Sequence, residues 1–172
     1  MKITYMDPKQ IISSSHEILH NIHVLKIYFK VFKEGCGDIL PSVPVIHRNI
    51  IEKHFAGELS DKFIEYISTN PQAEYFLLDG SHKTTAADLT DSKCKVMIIE
   101  NNEDIEVAKG METTGEVFEY RTGNYSIESM QNWLTRHFSE KMMFQTVEEK
   151  TAKLVESKEI PEYMIKYYEQ VN

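Results

Sequence analysis

Asp79-Gly-Ser-His-Lys-Thr-Thr85 brings together, in one short stretch, the polar groups that chemistry on an anion requires. The stretch follows an unbroken apolar run, Tyr75-Phe-Leu-Leu78, and precedes Ala86-Ala-Asp-Leu89, so the pattern predicts a buried strand, a tight Asp-Gly turn and a helix. The first-turn N–H groups of such a helix have no intrahelical acceptors and lie at the positive end of its dipole, which favours a negatively charged ligand. Gly80 permits close approach of a ligand to the backbone, Ser81, Thr84 and Thr85 offer hydroxyls, and Lys83 a mobile positive charge. Ala86 and Ala87 let the helix lie close to a sheet. The same residues also fit an ordinary strand-to-helix turn in which Asp79 only caps the helix.

Several elements must position this turn. Ile3 to Met6 alternates as an edge strand, extended by Gln10-Ile-Ile12 after the Asp7-Pro8 turn. Ile22, Leu25, Phe29 and Phe32 follow helical spacing between about His20 and Lys33, with Gly35 and Gly37 as the stop. Pro41 and Pro44 bracket a short strand, Val43 to Ile46. Residues 48 to 70 read as two helical pieces, with Ser60-Asp61 capping Lys62 to Ile67 and Asn70-Pro71 ending them. Thr84 to Leu89 continues as a helix, and Cys94 to Glu100 is the next strand. A helix over Glu103 to Met111 and a short strand over Glu116 to Arg121 follow. From Ser126 the chain is helical, with Met130, Trp133, Leu134 and Phe138 as a core-facing stripe and further helices over Thr146 to Ser157 and Pro161 to Val171. The Tyr163–Tyr168 segment either packs internally or covers a partner subunit.

With 172 residues and 41% hydrophobic content the chain can bury a sizeable core. No apolar window is long enough for a membrane span, and MKITYMDPK reaches Asp7-Pro8 before a signal core can form, so the expectation is a soluble, cytoplasmic protein. Cys36 and Cys94 have no paired spacing, which argues against a disulfide framework or a zinc motif. His16, His20 and His23 likewise lack the spacing of a metal-only site. A net charge of −8 with dispersed Lys and Arg argues against nucleic-acid binding, but not against a phosphate held locally by backbone amides.

Asp79-Gly-Ser-His-Lys83, with the strand Lys95-Val-Met-Ile-Ile99 after it and Ser15-His-Glu17, a helix and Pro41-Ser-Val-Pro-Val-Ile46 before it, resembles the ParB/sulfiredoxin superfamily. The resemblance covers residues 1 to 105, with a helical insert at about 48 to 72, and leaves 106 to 172 as a mainly helical C-terminal extension. It implies an α/β (α+β) fold: a mixed sheet with flanking helices, binding a nucleotide around Gly80 to Thr84. Sulfiredoxins carry a cysteine before the histidine of the motif; Ser81 stands here. Partitioning members carry GERR and a helix-turn-helix domain; here the arginines are absent and the acidic tail offers no basic recognition helix. The DGxHR branch, which includes kinases of free serine, matches best through His16-Glu17 and Asp79-Gly-Ser-His82, with Lys83 replacing the usual arginine.

In that kinase reading the resemblance implies ATP, ADP or CTP as donor and Mg2+ as metal. Glu17 would take the proton of the acceptor hydroxyl, Asp79 would hold the metal or orient the nucleophile, and His82 and Lys83 would neutralise charge on the transferred group. Gly80, Ser81, His82, Lys83, Thr84 and Thr85 would bind the nucleotide. Glu17 also fits a surface carboxylate at a helix start, and His16 a polar loop residue. The contrasting function is a non-catalytic, nucleotide-dependent ParB-like module whose C-terminal helices engage protein or DNA partners. Nuclease activity, a third class, fits the net charge least. The C-terminal helices are also the expected surface for any homo-oligomer.

Overall fold

The computed structural model describes residues 1–14, 21–115 and 126–172. Among them the chain forms β1 (Lys2–Met6), β2 (Ile11–Ile12), α1 (Ile22–Lys33), β3 (Val43–His47), α2 (Arg48–Ile51), α3 (Glu58–Thr69), β4 (Tyr75–Leu77), α4 (Ser81–Asp88), β5 (Cys94–Ile99), α5 (Asn102–Thr113), α6 (Ile127–Lys141), α7 (Val147–Glu156) and α8 (Glu162–Val171). The expected strand at 116 to 121, together with His16, Glu17 and His20, lies outside the described residues.

The strands make one mixed sheet in the order β1-β5-β3-β4-β2. β1 runs antiparallel to β5 and β3 parallel to it, while β4 runs antiparallel to β3 and parallel to β2. Because side chains alternate along a strand, a sheet covered on both sides must be apolar at successive positions. In β5, Val96 and Ile98 enter one core and Met97 and Ile99 the other; Leu77 and Phe76 divide in the same way in β4, as do Ile11 and Ile12 in β2.

On the first face lie Leu25, Phe29 and Phe32 of α1, Ala86 and Ala87 of α4, Val147 and Leu154 of α7 and Met164 of α8. The small alanines let α4 sit low on the sheet, between α1 and α7. The second face carries Leu59 and Phe63 of α3, Ile105 and Ala108 of α5, and Met130, Leu134 and Phe138 of α6. Helices from both halves of the sequence thus share each core. Phe138 is fully buried and stacks on Phe144 at 4.7 Å between ring centroids, with Phe76 at 5.3 Å. Trp133 only lines the edge of this core.

Some boundaries differ from the expected ones. α3 starts at Glu58 rather than after Ser60-Asp61, because Gly57, at φ +56°, reverses the chain and its carbonyl accepts from Asp61 N at 3.2 Å. β3 covers the expected Val43 to Ile46 with Pro44 inside it and runs one residue further, to His47; the Pro44 carbonyl accepts from Leu78 N at 3.0 Å. α4 begins three residues before the expected Thr84. Cys94 is buried and Cys36 exposed, both as free thiols. Among the described residues no helix is long and apolar enough to cross a membrane.

The short edge strand β2 is covered rather than open. Ser13 N donates to Gln145 O at 2.9 Å and Ile12 bridges Thr146, so the residues that introduce α7 close that rim of the sheet. Replacing Phe138 by alanine is expected to cost about 3–5 kcal/mol, from lost burial and the cavity left among the aromatic rings. Urea unfolding followed by far-UV circular dichroism measures it.

Candidate functional site

β4 is pinned against β3 up to Leu78, and the chain must then reverse direction within two residues to begin α4. Gly80 makes this possible with φ +97° and ψ 27°, a left-handed conformation that side chains disfavour. A Cβ at this position would stand 3.1 and 3.2 Å from the two γ-methyls of Val43, so both the backbone angle and the available space call for glycine. Asp79 Oδ1 accepts from Gly80 N at 2.7 Å, and Thr84 N closes the first helical turn on Gly80 O at 2.9 Å.

The sequence-predicted residues divide into those at the opening of this turn and those beneath it. Gly80, Ser81 and His82 are half-buried at the start of α4 and Asp79 is exposed. His82 Nε2 accepts from Asn21 N at 3.2 Å, and Asn21 caps α1 through His23 N and Val24 N. A ring nitrogen that accepts from an amide carries no proton, so in this arrangement His82 ties the start of α4 to the start of α1 as a neutral imidazole. Thr84 is buried and its hydroxyl donates within the turn, to the carbonyls of Gly80 and Ser81. Thr85 is fully buried, and among the described residues its Oγ1 has no hydrogen-bond partner.

Lys83 is 6% exposed, its Nζ donates to Pro41 O at 2.5 Å, and it lies 5.9 Å from the centre of the Tyr28 ring. Burial lowers its pKa to about 8, partly opposed by the nearby Asp79 carboxylate. Its charge is therefore committed to the side facing α1.

A second ammonium reaches the turn from the far end of the sequence. Lys150 of α7 is 4% exposed, and its Nζ donates to Ser81 Oγ at 2.5 Å. Burial lowers its pKa to about 8 as well. Its position is fixed by the start of α7: Thr146 Oγ1 accepts from Glu149 N at 3.1 Å, and Glu149 Oε2 accepts from Thr146 N at 2.7 Å and from the Tyr66 hydroxyl at 3.0 Å. The sequence-based site omits Lys150. A signal exists, because Val147, Lys150, Thr151 and Leu154 share one helical stripe and a lysine there interrupts a core-facing face.

The two ends of α4 differ electrostatically. At its C-terminal end a pocket of about 80 Å³ is lined by Asp7, Asp88, Asp91 and Glu148 with Lys9 as its one cation, an acidic balance that disfavours phosphate. There burial pushes Asp88 up to about 7, against a hydrogen bond from Thr151 and with help from Glu148 and Asp91. The N-terminal end has the helix dipole, Ser81 and Lys150. As for a metal, Asp79 stands as a single carboxylate, and among the described residues no group of three His, Cys, Asp or Glu forms a dedicated cage. Magnesium commonly takes one or two carboxylates together with phosphate oxygens, so Asp79 suits a nucleotide-borne ion and not a protein-held one.

No family model, no curated protein and no solved structure matches this chain.

Gly80→Ala is expected to destabilise the protein by about 1–2 kcal/mol, from left-handed strain and the contact with Val43. Gly110→Ala, on α5 with open space around it, is expected to stabilise by about 0.5–1 kcal/mol. Urea midpoints of the two variants give the opposite signs. Because the folded pKa of Asp88 is raised, the folded state binds more protons than the unfolded one between about pH 4 and 7, and stability falls across that window. Asp88→Asn is expected to remove the slope and to be more stable than the parent at pH 8 by roughly 1–3 kcal/mol, as read from denaturation at pH 4, 6 and 8.

Proposed function

We propose that the chain binds the phosphates of ATP, ADP or CTP at the start of α4 and transfers phosphate to a small hydroxyl compound such as free serine. The single observation that carries this reading is the passage of a buried strand through left-handed Gly80 into α4, with a hydroxyl, a carboxylate and an ammonium converging on the opening. The resemblance to the ParB/sulfiredoxin superfamily drawn from Asp79-Gly-Ser-His-Lys83 supports the same reading.

Phosphoryl transfer forms a bond from the acceptor oxygen to the terminal phosphorus, breaks the bond to the departing nucleotide, and releases the hydroxyl proton. Glu17, outside the described residues, is the proposed proton acceptor. Asp79 would hold the nucleotide-borne Mg2+, which neutralises phosphate charge. Gly80 and Ser81 would lie against the phosphates, with amides and a hydroxyl as donors. His82 would keep α1 and α4 in register, and Thr84 and Thr85 would support the turn from beneath.

A second reading, a non-catalytic nucleotide-dependent module, is favoured by one observation: α7 touches the site directly through Lys150 and Ser81, so occupancy would be felt by the C-terminal helices that would engage a partner. Incubating the purified protein with each nucleotide, Mg2+ and free serine separates the two readings. Phosphoserine formation, abolished in Glu17→Gln with binding retained, is expected for the kinase. Binding without turnover supports the module, and the absence of binding heat with every nucleotide overturns both.

A further inference from the structure

Lys150 presents a physical problem that its own surroundings do not solve. Its ammonium is almost fully buried, yet it makes one hydrogen bond, to Ser81 Oγ, and among the described residues no carboxylate stands within ion-pair distance. Burying a cation without a counter-charge is unfavourable, and a methionine or leucine would suit the α7 stripe better. The nearby charges are engaged elsewhere. Asp79 Oδ1 accepts from Gly80 N, Glu149 turns to Tyr66 and Thr146 N, Lys153 donates to Gln145, and Asp88 and Glu148 face the pocket at the other end of α4. One turn along α4 from Ser81, on the same stripe, the Thr85 hydroxyl is fully buried with no partner among the described residues.

We infer that Lys150 is the cation that receives a phosphate oxyanion at the start of α4, with Ser81 between the two, so that the C-terminal extension completes the anion site. This rests on the nucleotide-binding reading and adds a residue and a charge to it. Lys83, the motif position expected to meet phosphate, is directed to Pro41 O on the opposite flank, and Lys150 takes its place. An arriving oxyanion supplies the missing counter-charge, and Ser81 Oγ, which already accepts from Lys150, can donate its own proton to the ligand. The site then selects for a terminal phosphate and not for the nucleoside, because every group involved recognises oxygen charge.

Titration calorimetry on the full chain tests this with ADP, ATP, CTP, inorganic pyrophosphate and adenosine. Binding of the nucleotides and of pyrophosphate is expected, and none of adenosine. Lys150→Met is expected to weaken phosphate binding about 10- to 100-fold, whereas Lys153→Met, on the same helix, leaves it unchanged. With a lysine that is partly neutral near pH 8.5, binding should take up a proton, visible as heats that depend on the buffer's ionisation enthalpy. Lys150→Arg keeps a charge that does not titrate, so it should retain binding and lose the uptake, which provides a readout even where Lys150→Met folds poorly. If the parent binds nucleotide and both Lys150 variants match it in affinity and proton uptake, the assignment of Lys150 is wrong and the nucleotide reading survives. If the parent binds none of the phosphates, both are overturned.

Discussion

The arrangement depends on how the chain leaves β4. A strand buried on both faces cannot end in an open loop without stranding polar backbone in the core, so its exit has to be short. Gly80 makes it short: one residue at φ +97°, pressed against Val43, turns the chain directly into α4. The alanines of α4 then settle on the sheet and bring the helix start to the level of the strand end. Asp79, Ser81 and His82 are placed by that constraint before any ligand is considered.

Around the turn, two lysines are handled in different ways. Lys83 has a carbonyl, an aromatic face and a carboxylate in its vicinity, so its charge is accommodated within the fold on the α1 side. Among the described residues Lys150 has a hydroxyl alone. The two are equivalent in composition and in how far burial lowers their pKa, yet only the second leaves an electrostatic demand that something outside the chain can meet.

Much of the fold was legible because apolar runs and helical stripes report burial directly. Tyr75 to Leu78 and Cys94 to Glu100 stand out as strands, each one residue longer than β4 and β5, and Leu25, Phe29 and Phe32 mark the inner side of α1. The start of α3 was not legible: Ser60-Asp61 is a good cap by residue type, but Gly57 turns the chain earlier, and a turn residue outranks a cap when both are present. At the site, Gly80 and Ser81 could be found from the turn pattern. The direction of Lys83 could not, since a long side chain at the first turn of a helix can reach either flank. Lys150 lay 69 residues from its partner Ser81, and only its place on a core-facing stripe marked it.

The rim of the sheet offers a last consequence. The segment that closes the edge of β2, Gln145-Thr146, is the one whose cap sets the first turn of α7 and with it the Lys150 ammonium. Peeling that segment from β2 would withdraw the cation from Ser81 in the same motion. In the proposed site, local opening of the outer strand and loss of grip on a phosphate would therefore be a single event, and a bound anion would slow hydrogen exchange at the Ser13 amide, far from any atom it touches.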